Sequence, residues 1–373
     1  CRVVKEYMIK LAKPNISEAA IKKVGEVLRS GNLIQGEYVQ QFEQDLAEYL
    51  GVKNVIVVSS GTAALHLSLL ALGVGPGDEV IVPAFSFPAT ANVVEAVGAT
   101  TVFVDITLDD CCMDISLIQA AITSKTKVII PVHEFGQSAD MNPIMALSKK
   151  YNLKIIEDAA CALGSAYNGQ KVGTIGDFGC YSFHPRKAIT TGEGGAVVTN
   201  DDEYASKIRS FRNHGIEMLN GKTDFKYSGL NYRMTDFQAV LGIEQLKTLE
   251  ENIIHRIHIA QKYDDLLSGV QWIRTPKFFN KRRMIYQTYH ILLEECINRE
   301  ALWCYLRKNN IEVNIGAQAI HILQYFAEKY HAKAKDHKEA IQAFHYGLAF
   351  PIGSHISNED VLTITRLINH YSD

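Results

Sequence analysis

The chain has 373 residues, 47% apolar and 21% charged, with a net charge of −3. This is a globular composition that can bury a large core and suits one large and one smaller domain. The charge balance and the lack of a long basic run exclude nucleic acid or an anionic membrane surface as the main partner, and no apolar segment reaches the roughly 18–20 uncharged residues of a membrane span.

The opening "CRVVKEY" carries no methionine and no readable signal peptide, and Met8 is read as the candidate natural start. From about residue 50 to 200, short apolar runs alternate with amphipathic stretches. "NVIVV" (54–58) predicts a buried strand, followed by a helix over "SSGTAALHLSLLALG". "EVIVPAF", "TTVFVDI", "KVIIPVHEF" and "KIIEDA" predict further strands, so the fold class is α/β, with a mostly parallel central sheet covered by helices on both faces. "GCYSF" and "GAVVTN" add two more strands, and "DDEYASKIRSFRNHG" predicts a helix with acidic residues first and Gly215 after its end. One long helical pattern covers roughly 234–268. Beyond it come a strand ("TYHILLEE"), a helix ("REALWCYLRKNN"), a strand ("EVNI") and a last helix with Ser357 as N-cap and Asp360 completing a capping box. The expected division is a large domain over 1–255 and a small α+β domain over 256–373.

Seven cysteines (1, 111, 112, 161, 180, 296 and 304) form no C-x-x-C pair and are expected as reduced thiols of a cytoplasmic protein. Cys111-Cys112 reads as incidental in a loop, and His133 lacks metal-ligand spacing to any partner.

Three stretches carry chemistry. In "VVSSGTAALHL" a strand turns through Ser60, Gly61 and Thr62 into a helix whose first N–H groups form a phosphate cup, unless the hydroxyls are ordinary N-caps. "KIIEDA" ends a strand on Glu157-Asp158: either a surface acidic pair, or a buried carboxylate that needs a cation such as a protonated ring nitrogen. "YSFHPRKAITTGEGG" (181–195) brings Ser182, a chain-turning Pro185, Lys187, and then Gly192, Gly194 and Gly195, which permit close backbone approach. A lysine in so tight a place is expected to lose its charge more easily than a surface lysine, and a neutral amine can form a Schiff base. A phosphate cup, a carboxylate for a pyridinium nitrogen and a reactive lysine together are the requirements of pyridoxal phosphate.

With those residues in place, the chain resembles the DegT/DnrJ/EryC1/StrS family of sugar-nucleotide aminotransferases, of the aspartate-aminotransferase type I fold. The likeness rests on "GNLIQGEYVQQFEQDLAEYLG", "SSGTAALHLSLLALGVGPGDEVIVPAFSFPATANVV", "PVHEFGQSADM", "IEDAACALGS", "FHPRKAITTGEGGAVVT" and "NYRMTDFQAVLGIEQL", and weakens after about 270. The resemblance implies that Lys187 holds the cofactor and shuttles a proton, and that Asp158 pairs with its ring nitrogen. Gly61, Thr62, Ala63 and the Ser182 hydroxyl would bind its phosphate. Phe87 would stack on one ring face, with Ala160 beneath the other, although a phenylalanine there also reads as a core aromatic. Asn231 would reach the phosphate of a neighbouring subunit, making a shared site in a homodimer. Position 161, often Gln or His in the family and near the cofactor's 3-oxygen, is Cys161 here, a weak hydrogen-bond donor. His184 faces the sugar or its diphosphate, or packs beside Pro185.

The implied reaction moves an amino group from an amino acid, glutamate by resemblance, through pyridoxamine phosphate to a nucleotide-linked keto-sugar for polysaccharide or glycoconjugate synthesis. Some relatives carry histidine in place of the lysine and are dehydratases; Lys187 favours transamination. A sugar dehydratase or decarboxylase, or a non-catalytic regulator on the same fold, are the alternatives, and the regulator predicts loss of the cup, Asp158 or Lys187. A nicotinamide oxidoreductase is disfavoured because no G-x-G-x-x-G follows the first strand.

Overall fold

The computed structural model describes residues 8–371; Cys1 and the opening heptapeptide lie outside them. Two amphipathic helices, α1 (Glu18–Ser30) and α2 (Glu37–Leu50), come first, each ended by a left-handed glycine, Gly31 and Gly51. Seven strands then build the central sheet: β1 (Asn54–Val58), β2 (Glu79–Pro83), β3 (Thr100–Val104), β4 (Thr126–Ile129), β5 (Lys154–Asp158), β6 (Phe178–Ser182) and β7 (Gly195–Thr199). Their spatial order is β1-β7-β6-β5-β4-β2-β3. The contacts from β6 through β5, β4 and β2 to β3 are parallel, and β7 runs antiparallel to both β1 and β6. The expected mostly parallel sheet is therefore the one observed.

Both faces of this sheet are buried, which is why the strands read as continuous apolar runs rather than alternating ones. In β1, Val55 and Val57 pack with Phe42, Leu46 and Leu50 of α2, while Ile56 and Val58 join the helix α3 (Gly61–Ala71). Being covered on all sides, α3 is apolar nearly all round.

The long helical pattern over 234–268 is two helices, α4 (Asp236–Leu246) and α5 (Leu249–Leu267). They break at Thr248, whose φ of −111° and ψ of 7° leave the helical region without any glycine or proline to signal it. α5 runs across the expected division at 255/256. Beyond it, β8 (Ile273–Arg274), β9 (Tyr289–Leu293) and β10 (Gly347–Phe350) form an antiparallel sheet over a core that includes Tyr263, Leu302, Val361 and Ile364. The C-terminal helix Asn358–Asn369 carries the predicted Ser357–Asp360 capping box.

"EVNI" is not a strand. Ile311 and Val313 are buried as the alternation implies, but pairing is limited to single bridges, Ile311 with Ile9 and Asn314 with Ala349. Cys111 and Cys112 lie in the expected loop, buried in a tight turn, and the six described cysteines are free thiols. Among the described residues no helix is long and apolar enough to cross a membrane, and no cluster of His, Cys, Asp or Glu could hold a metal ion.

Candidate active site

The ends of β5 and β6, the start of α3 and the loop after β6 meet at one cavity of about 430 Å³. Its wall includes Ser60, Gly61, Thr62, Phe87, Asp158, Ala160, Cys161, Ser182, His184 and Lys187. It opens at the carboxyl ends of the parallel strands, where open α/β sheets collect ligands.

Ser60 caps α3. Its Oγ accepts the Ala63 N–H at 3.0 Å and its carbonyl accepts the Ala64 N–H at 3.1 Å, leaving the Gly61 and Thr62 amides at the cavity wall. Both readings of this turn therefore hold: it is an N-cap, and its remaining amides and the positive end of the helix dipole suit an anion. Ala63 is the exception, since its N–H is taken by Ser60 and it is buried behind the wall. The helix start lies directly on β6: a Cβ on Gly61 would stand 2.8 Å from Ser182 Cβ. A Cβ on Gly195, opposite Ser182 on β7, would stand 2.5 Å from the Ser60 carbonyl carbon, so two glycines allow the strand–helix contact that sets Ser182 beside the cup.

The Glu157-Asp158 pair is not a surface feature: the two residues are 0% and 5% exposed. Strand alternation sends them opposite ways. Glu157 accepts from the amides of Gly173, Ile175 and Gly176 at 2.6–2.7 Å and meets His133 Nε2 at 2.9 Å. This explains His133 as a buried structural residue, its Nδ1 accepting the Ala139 N–H. Asp158 faces the cavity, accepting from Thr90 Oγ1 at 2.8 Å and from the Ala160 amide at 3.2 Å. Burial raises its pKa above the ordinary carboxylate value against the lowering effect of Thr90, Ala160 and Lys187, and no ion-pair partner reaches it among the described residues. A buried carboxylate left in that state fits a protonated ring nitrogen as its missing cation.

Lys187 reaches in from the loop after β6 and donates from Nζ to Cys161 Sγ at 2.9 Å. Burial pulls its ammonium down, but Cys161, Glu134 and Asp158 outweigh this and hold its pKa above the usual lysine value. The expectation of an easily discharged lysine is thus corrected: the apolar flanks of the motif are real, but distant acidic groups converge on the amine. Burial also pushes the Cys161 thiol up, despite Lys187. The loop is held from outside by Gln287, whose Nε2 donates to the Arg186 carbonyl at 2.6 Å.

Phe87 is 66% exposed at the cavity, which overturns the core-aromatic reading. His184 lines the cavity half-buried, and burial lowers its pKa, with Glu193 opposing. Asn231 is exposed and lies outside the wall, bridged to Asn213. Sequence reasoning missed Glu134, Thr90, Arg186 and Gln287, all of which line the cavity. Glu134 was visible only as an acidic residue out of place in the apolar run "PVHEFG".

Chemistry at a buried amine facing a charge-hungry carboxylate and an anion-binding helix start is that of the pyridoxal-phosphate transaminases of fold type I. The chain belongs to the DegT/DnrJ/EryC1/StrS aminotransferase family, whose profile matches residues 14–369; it is a transaminase that uses pyridoxal phosphate. It is 38% identical over 329 residues to the GDP-perosamine synthase of Caulobacter vibrioides, covering 87% of this chain and 88% of that protein. The fold of the sugar aminotransferase Spr1654 from Streptococcus pneumoniae in its PLP form superposes with a TM-score of 0.91 at 31% identity, over 96% of this chain and 97% of that one. That of Helicobacter pylori PseC, an aminotransferase involved in pseudoaminic acid biosynthesis, gives 0.92 at 30% identity, over 97% and 98%.

Proposed function

We propose that the chain transfers an amino group from an amino-acid donor, glutamate, to a nucleotide-linked keto-sugar, supplying amino-sugars for polysaccharide synthesis. The observation that carries the reading is the meeting of Lys187, Asp158 and the start of α3, far apart in sequence, on one cavity. Similarity to a GDP-perosamine synthase and to PseC supports a nucleotide-sugar acceptor.

When bound, pyridoxal phosphate supplies an electron sink for the bonds around the reacting carbon. Asp158 would keep its ring nitrogen protonated, and Gly61, Thr62 and the Ser182 hydroxyl would hold its phosphate. Phe87, exposed at the cavity, and Ala160 would flank its ring. Lys187, whose Nζ lies in the cavity beside Cys161, would hold the cofactor and move a proton at that nitrogen between the two ends of the transfer. His184 and Arg186, at the cavity wall beside Lys187, would meet the anionic part of a nucleotide-linked sugar. Asn231, exposed and outside the wall, serves a phosphate in a second copy, which makes the working unit a homodimer. With a division into 1–255 and 256–373, Gln287, Thr288, Asn314 and Gly316 of the smaller part would complete the cavity wall. Location in the cytoplasm accords with free thiols.

The test is a panel of nucleotide keto-sugars incubated with glutamate. The reading predicts glutamate-dependent amination of at least one sugar with matching release of 2-oxoglutarate, both lost in Lys187→Ala. Loss of oxygen from the sugar without 2-oxoglutarate would instead identify a dehydratase.

A further inference from the structure

Glu134 is a carboxyl that the reaction above leaves unused. It sits in the turn after β4, only 4% exposed, and lines the same cavity as Asp158 and Lys187. The turn is clamped. Phe135 holds a left-handed φ of 56°, and the Gly136 carbonyl accepts the Ser165 hydroxyl at 2.7 Å. A Cβ on Gly136 would stand 2.8 Å from Ile285 and 3.2 Å from the Cys161 carbonyl. Backbone strain of this kind persists only where the surroundings fix it, so the carboxyl has a set place in the wall rather than a choice of places.

Its charged surroundings are few. On the cavity side stand Lys187, which favours the ionised form, and Asp158, which opposes it; Ser86 and the Phe135 backbone donate hydrogen bonds. Burial pushes the neighbouring thiols Cys161, Cys111 and Cys112 up. On the far side a water-sized cavity is lined by Asp109, Asp110, Arg274 and Lys277, charges already paired among themselves or with Arg282, and by His290, which burial drops to about 3 and keeps uncharged. Desolvation dominates, raising Glu134 to about 7. A carboxyl poised near neutrality acts on Lys187 in one protonation state and not in the other.

We propose that Glu134, a buried carboxyl fixed in the wall of the cavity that holds Lys187, is a positioning residue for the reaction that sets how firmly the Lys187 nitrogen holds its proton. It never touches the substrate's reacting atoms. Ionised, it favours a charged nitrogen; protonated, it releases the nitrogen. The pH range over which the lysine exchanges protons thereby follows that of a glutamate.

The inference rests on the proposed function, and the test separates the two. The full chain is loaded with pyridoxal phosphate, and the pH midpoint of the visible cofactor band is titrated in wild type, Glu134→Gln and Glu134→Asp. Removing the negative charge is expected to lower the midpoint by about one unit, a tenfold loss of proton affinity, while Glu134→Asp stays within a few tenths of wild type. If Glu134→Gln does not fold, Glu134→Leu, which asks for no hydrogen bond in the buried position, gives the same reading. A midpoint in Glu134→Gln or Glu134→Leu within 0.2 of wild type, our chosen threshold of about 0.3 kcal/mol, overturns the proposal. A wild-type chain that shows no cofactor band refutes the function on which it rests.

Discussion

Gly61→Ala puts the strand–helix contact under direct test. The added Cβ would stand 2.8 Å from Ser182 Cβ, nearer than real Cβ contacts come, and 3.3 Å from Ser182 Cα, tighter than most. Neither side can yield freely: Ser182 is held in β6 against Gly195 of β7, and α3 is anchored by its Ser60 cap and by burial along its length. Overpacking of this kind costs about 1–3 kcal/mol. The relief available is for the helix start to move away from Ser182, which separates the two halves of the phosphate site. Losing one hydrogen bond to a charged group costs about 1.5–3 kcal/mol, so the dissociation constant for pyridoxal phosphate should rise about 10- to 150-fold. The assay is a titration of cofactor-free chain with pyridoxal phosphate, read by absorbance, beside a thermal melt. Gly73→Ala, just past the other end of α3, is the control: Gly73 has φ 67° with nothing within 4 Å of a new Cβ, so stability falls while affinity holds. Binding by Gly61→Ala within about twofold of wild type, a margin of about 0.4 kcal/mol, would refute the reasoning.

The adjacent acids should separate cleanly. Glu157→Ala strands the buried Gly173 amide, the half-buried amides of Ile175 and Gly176, and buried His133, and should cost more than about 3 kcal/mol in denaturant unfolding. Asp158→Asn should leave the cofactor-free chain at least as stable, because burial penalises that carboxylate, yet lower kcat/KM by about 100-fold or more through loss of a charge-assisted contact in the reacting state. For Glu134 the sign follows from a raised pKa: its contribution to the stability of the cofactor-free chain is complete below the ordinary carboxylate value of 4.5 and is lost as pH rises through about 7. Glu134→Gln should therefore gain stability relative to wild type across that window, measured by melts at successive pH values; a difference that is flat with pH would contradict the assignment.

Much of this was legible because local grammar and global fold agree. The strands from "NVIVV" to "GAVVTN" are mostly buried on both faces and so are largely apolar, and Ser60-Gly61-Thr62 marks a helix start by small residues alone. What the sequence hid depends on partners distant in the chain. Strand alternation could separate Glu157 from Asp158 only once His133 and three amides were seen to claim the first. The charge state of Lys187 was misjudged because Glu134 and Cys161 reach it from other segments. "EVNI" had the period of a strand but meets its neighbours at single residues, and the break at Thr248 has no sequence punctuation. Phe87 read as core because exposure of an aromatic at a cavity leaves no trace in its own segment.

The most direct test of the central claim is to load the chain with pyridoxal phosphate, reduce it with borohydride and map the modified peptide by mass spectrometry. The account predicts a single pyridoxyl adduct on Lys187, absent in Lys187→Ala. An adduct on another lysine, or none in a wild-type chain that has bound the cofactor, would contradict it.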